Sequence, residues 1–199
     1  MIVKICGITS REDAQAAVEC GASALGFNFY PSSPRYISPE AARAILEALP
    51  GAIWKAGIFV NEPAEKVAEL VCALRLDIAQ VCGEGALPTG IRVWKAVRVG
   101  PQFQPSDLEA WPVVEAFLLD AASEELHGGT GRTFDWGLTR GTSKRIVLAG
   151  GLDADNVRQA ISQVRPWGVD ACSRLETSPG RKDHQKMARF IRAALSENP

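Results

Sequence analysis

The chain has 199 residues, 46% of them hydrophobic and 23% charged, with a formal net charge of -1. That length suits one domain with a sizeable core, and the charge excludes a general nucleic-acid binder, which needs excess positive charge to neutralise phosphates. No apolar run reaches membrane-span length, and the opening residues lack the pattern of a signal peptide.

The first element in chain order is IVKIC, an apolar run from Ile2 interrupted only by Lys4, ending on Cys6 and broken by Gly7. A cysteine there is either a small core residue or a thiol carried to the mouth of a pocket. Further strand-like runs begin near Ala24, Ile53, Asp77, Arg92, Val113, Arg145 and Gly168. Amphipathic stretches separate most of them: REDAQAAVEC, SPEAARAILEAL, EPAEKVAELVCAL and DADNVRQAISQV. Ser38 and Pro39 read as N-cap and first helical residue of the second, and Asp153 as the cap of the fourth. A last helix is predicted from about Lys182 to Leu195. Five scattered cysteines (Cys6, Cys20, Cys72, Cys82, Cys172) and two histidines, His127 and His184, form neither a CxxC pair nor zinc spacing. They predict reduced thiols, no metal and a cytoplasmic location.

Strands alternating with helices predict a parallel sheet, and eight such units predict a single (β/α)8 barrel domain over residues 1–199. An open doubly wound sheet is the alternative. It usually carries a glycine-rich turn after its first strand, whereas CGITSRED has one glycine. One unit is defective. Between DIAQV and IRVWKAV lies CGEGALPTG, nine residues with three glycines and a proline. A parallel crossover generally needs about a dozen residues. The fourth outer helix is therefore predicted to be shortened or missing, leaving a thin wall open to a partner subunit; monomer and homodimer both stay open.

Residues just past the carboxyl ends of barrel strands share one face, and that face holds the site. It gathers Cys6, Arg35 in the PSSPRY loop, Cys82, Asp120 closing VVEAFLLD, Gly150 and Gly151 after strand seven, and Asp170 to Arg174 around the end of strand eight. Gly150 and Gly151 are either a tight turn or, with Ser173 at the matching place, a phosphate site built from backbone N–H groups. Asp120 is either a loop anchor or a partly desolvated acid whose raised pKa lets it donate a proton. A Cys6 thiolate across the barrel would accept one, giving an acid/base pair that flanks a substrate. GGTGRT, Gly128 to Thr133, lacks the Lys-Ser/Thr ending of a P-loop. It reads as a flexible loop over the site, ending at a cap near Thr133 or Asp135.

KICGIT, SPRYISPE, GGTGRTFDW, LAGGL with NV behind it, and GVD followed by ETSPGRKD resemble, in the same order, the phosphoribosylanthranilate isomerase family of tryptophan biosynthesis. The resemblance implies a cofactor-free Amadori rearrangement of a small phosphosugar, N-(5-phosphoribosyl)anthranilate, on a (β/α)8 barrel. It implies Cys6 as general base, Asp120 as general acid, Arg35 on the anthranilate carboxylate and Asp170 lining the substrate site. Phosphate would lie on Gly150, Gly151 and Ser173. The chain departs from the family where QLHG is replaced by Gln80-Val81-Cys82-Gly83 and SSGVE by Cys172-Ser173-Arg174-Leu175-Glu176. Arg174 either adds charge to the phosphate grip or points to solvent. Two rival readings remain. A histidine-pathway sugar isomerase usually uses two aspartates, the first where Cys6 stands. A non-catalytic phosphosugar-binding barrel leaves the Cys6 and Asp120 pair without a purpose.

Overall fold

The computed structural model describes residues 1–121, 133–139 and 141–196. Its eight main strands are β1 (Ile2–Cys6), β2 (Ala24–Asn28), β3 (Trp54–Val60), β4 (Ile78–Cys82), β5 (Val93–Val99), β6 (Ala116–Ala121), β7 (Ile146–Leu148) and β8 (Gly168–Ala171). Each pairs in parallel with the next, and β8 pairs with β1, so the sheet is the expected closed barrel rather than an open one. The α-helices are α1 (Arg11–Glu19), α2 (Pro39–Leu46), α3 (Ala64–Leu74), α4 (Val157–Val164) and α5 (His184–Ser196). Among the described residues no helix is long and apolar enough to cross a membrane.

Strand alternation builds two cores. In β1, Val3 and Ile5 face outward and join the packing against the helices, with Ala14, Ala17, Met187 and Phe190. Ile2, Lys4 and Cys6 take the opposite parity and face the barrel interior. The amino-terminal end of the barrel is plugged by Trp54, Trp94 and Trp167, whose ring centroids lie 5.7–6.2 Å apart. Arg92 and Arg145 lie over two of these rings, each 5.2 Å from the centroid. That plug leaves the carboxyl end as the open end.

The connection from β4 to β5 contains no helical residue, in line with its glycines and proline. Leu87, Pro88 and Ile91 turn inward there and cover part of the wall that a helix would have covered. The next crossover is also reduced, to a 3-10 turn at Pro105–Ala110. Ser38 caps α2, its Oγ accepting from Ala41 N at 3.2 Å, and Pro39 is the first helical residue. Asp153 does not cap α4 as expected: the N-cap is Asn156, and Asp153 Oδ1 instead accepts from the N–H groups of Asp155 and Asn156 in the turn before the helix.

Two other boundaries also differ from expectation. β6 starts at Ala116, because Val113 lies outside the sheet and is 81% exposed. α5 starts at His184, because Lys182 belongs to a short hairpin of β9 (Glu176–Ser178) and β10 (Arg181–Lys182). Asp183 caps α5 instead, accepting from the N–H groups of Gln185 and Lys186. Of GGTGRT, Gly128 to Arg132 lie outside the described residues. Asp135 opens a 3-10 turn at Trp136–Thr139, its Oδ1 accepting from Gly137 N.

Candidate functional site

At the carboxyl end of the barrel lies a cavity of about 320 Å³. All eight candidate residues line it: Cys6, Arg35, Asp120, Gly150, Gly151, Asp170, Ser173 and Arg174. Cys6 and Asp120 come from β1 and β6, which are not neighbours in the barrel, so they form separate walls. A second cavity, of about 590 Å³, adjoins it and shares Asp120.

The Cys6 thiol stands over a buried charge. Lys4, two residues earlier and on the same strand face, is fully buried, and its Nζ pairs with Asp170 Oδ1 at 2.7 Å. Burial opposes the lysine's charge, but the Asp170 carboxylate and the Cys6 sulfur outweigh it and hold its pKa above the ordinary value. Gly26, paired with Cys6 on β2, makes the room. A Cβ at that position would lie 3.0 Å from Cys6 Sγ and 3.1 Å from Lys4 Nζ. A hydrogen bond from the Cys172 thiol lowers the Cys6 pKa to about 7; desolvation opposes this and the Lys4 charge assists it. Cys172 itself is pushed well up by the same hydrogen bond and by burial, so it remains the proton donor of the pair. Thiolate at Cys6 is thus accessible near neutral pH.

Arg35 is buried, and its Nε and Nη2 fork Glu176 at 2.7–3.1 Å. Lys182 Nζ holds the same carboxylate at 2.9 Å. One edge of the guanidinium is therefore fixed by protein, and the end-on edge with Nη1 is what remains for a ligand carboxylate. This network comes from the β9–β10 hairpin, and Glu176 and Lys182 were not among the residues singled out from sequence. Lys4 was visible only as a charge in an apolar strand; alternation alone placed it beside Cys6.

At another wall Gly150 and Gly151 have φ of 83° and 61°, a left-handed pair that glycine adopts without strain. Such a turn exposes successive backbone N–H groups and suits an anion. Asn156 stabilises it by donating from Nδ2 to Gly151 O at 2.8 Å. Ser173 opens a 3-10 turn beside it. Arg174 pairs its Nη1 with Asp153 Oδ2 at 2.9 Å and is 45% exposed at the side chain, on the cavity rim. Asp120 Oδ1 accepts from Ala121 N at 2.8 Å, which fixes the carboxyl at the strand end. Cys82 is buried, and burial pushes its thiol up to about 11. It is a neutral wall group at pH 7. Among the described residues no three His, Cys, Asp or Glu side chains are grouped to hold a metal ion.

Residues 3–193 match the family described as N-(5'-phosphoribosyl)anthranilate (PRA) isomerase. The chain is 50% identical over 197 residues to the N-(5'-phosphoribosyl)anthranilate isomerase of Solibacter usitatus, covering 98% of this chain and 97% of the relative. It superposes on the crystal structure of phosphoribosyl anthranilate isomerase from Thermotoga maritima with a TM-score of 0.88 and 43% identity, covering 98% of this chain and 100% of the other. A further phosphoribosyl anthranilate isomerase structure was solved in complex with reduced 1-(o-carboxyphenylamino)-1-deoxyribulose 5-phosphate. It gives a TM-score of 0.83 at 41% identity, over 98% of this chain and 100% of that one.

Proposed function

Since the chain belongs to the N-(5'-phosphoribosyl)anthranilate isomerase family and catalyses that isomerisation in tryptophan biosynthesis, we propose that Cys6 and Asp120 carry its proton transfers on a single barrel domain of residues 1–199. The observation that carries this reading is the shared cavity. A low-pKa thiol and a carboxyl line it from strands β1 and β6, with the left-handed glycines of the β7 loop in the same wall system.

The sugar phosphate is held on the N–H groups of Gly150 and Gly151 and on Ser173, with Arg174 at the rim. The anthranilate carboxylate takes the end-on edge of Arg35, which Glu176 and Lys182 keep oriented. Asp120 protonates the furanose ring oxygen. The C1′–O bond breaks and the nitrogen lone pair forms an iminium. That cation acidifies the proton at C2′, so a base with a pKa of about 7 is adequate, and the Cys6 thiolate removes it. The enolamine then gains a proton at C1′ and loses one from the C2′ hydroxyl to give the ketone. Asp170 lines the substrate site and keeps Lys4 charged beneath the thiol. A cytoplasmic location belongs to the same proposal, supported by five free thiols.

The test is turnover of phosphoribosylanthranilate, followed by loss of its fluorescence, in the wild type and Asp120→Asn. An amide cannot deliver a proton, so the variant should lose about 100- to 10,000-fold. Unchanged turnover across the pH range would assign the acid to another group. Assaying the histidine-pathway aldose substrate alongside separates the nearest rival.

A further inference from the structure

Cys172 exchanges no proton with the substrate in this mechanism, yet it stands beside the thiol that does and hydrogen-bonds it. The β1–β8 register pairs Ile5 with Ala171, so Cys6 and Cys172 are the next residues on two adjacent strand ends. Neighbouring strands lie about 4.7–4.9 Å apart, inside the Cα separation of about 4.4–6.8 Å that a disulfide spans. Both side chains line the same cavity and share a thiol hydrogen bond. Gly7, with φ of 73°, leaves the space: a Cβ there would lie 3.0 Å from Cys172 Sγ. Lys182 Nζ lies 3.7 Å from the same sulfur, a cation placed to favour thiolate at Cys172 when it reacts.

We propose that Cys6 and Cys172 form a hydroperoxide-modified pair that closes to a disulfide and reversibly withdraws the base from the site. The Cys6 thiolate attacks one peroxide oxygen and the O–O bond breaks. This leaves Cys6 sulfenic acid and hydroxide, with the sulfur oxidised by two electrons and the peroxide reduced by two. The Cys172 sulfur then attacks the Cys6 sulfur, the S–O bond breaks, and hydroxide departs with the Cys172 proton as water. The S–S bond leaves no thiolate to take the C2′ proton. Cys82 is a poor competitor, because β1 and β4 are not adjacent and its thiol is held neutral. The effect on turnover rests on Cys6 being the base; the bond itself does not.

The experiment treats wild type and Cys172→Ser with hydrogen peroxide, each compared with its own untreated turnover. The wild type should lose at least about 100-fold of its turnover. Its mass should fall by two hydrogens, a Cys6–Cys172 linked peptide should appear, and dithiothreitol should restore it. In Cys172→Ser, Cys6 should proceed to sulfinic acid and dithiothreitol should restore nothing. No linked peptide in the wild type, a link from Cys6 to Cys82, or full recovery of Cys172→Ser would overturn the pair. Linkage with unaltered turnover would overturn both the switch and the assignment of Cys6 as base.

Discussion

Gly26→Ala isolates the geometry of the base without touching its chemistry. Gly26 is not among the left-handed glycines, so alanine fits its backbone. The added methyl, however, would lie 3.0 Å from Cys6 Sγ and 3.1 Å from both Lys4 Nζ and Ile58 Cδ1. Heavy atoms settle at roughly 3.5–4.0 Å, so each contact is short by about 0.5–1 Å. Lys4 is pinned by Asp170 and Ile58 is packed in the barrel, 4% exposed. Cys6 lines the cavity and has room, so it is the group that moves. Overpacking costs about 1–3 kcal/mol, offset in part by about 0.4–1 kcal/mol from the stiffer unfolded chain. A misplacement approaching 1 Å costs about 100-fold in rate. We expect kcat to fall about 10- to 100-fold, with KM nearly unchanged and a small loss in urea stability. Steady-state fluorescence assays and urea unfolding measure these separately. Wild-type kcat in a correctly folded variant would refute the claim that Gly26 holds the thiol in place.

Two further outcomes follow from the charges around the cavity. Lys4→Met removes the cation beneath Cys6, so the Cys6 pKa rises and the acid limb of kcat/KM moves from near pH 7 to higher pH; an unmoved limb would contradict the coupling. It also leaves Asp170 buried without a partner, a loss of about 3–5 kcal/mol in denaturant unfolding. Arg174→Gly should weaken inorganic phosphate binding at low salt, with the difference shrinking as salt rises; equal affinities at low salt would remove Arg174 from the phosphate grip.

The barrel was legible because its signals are local. The strand starts at Ile2, Ala24 and Gly168 coincide with β1, β2 and β8. The break at CGEGALPTG also needs no tertiary information. The site was legible at strand ends for the same reason, since topology alone brings Cys6, Asp120 and Gly150 to one end. What was not legible depends on contacts distant in sequence. Lys4 meets Asp170 across 166 positions, and Arg35 meets Glu176 across 141. Lys182 reads as the start of α5, but Glu176 and the Asp13 carboxylate draw it into the β9–β10 hairpin instead. Val113 extends an apolar pattern that the sheet does not use, because pattern cannot show where pairing begins.

The central claim is that the Cys6 thiolate takes the C2′ proton, and Cys6→Ser tests it most directly. Serine preserves size and the neighbouring hydrogen bonds but is far too weak a base near pH 7. The measurement is single-turnover conversion of phosphoribosylanthranilate across pH, with binding of a reduced product analogue measured in parallel. The account predicts a loss of about 100- to 10,000-fold in the chemical step, with analogue affinity retained. Near-normal conversion by the folded variant would contradict it.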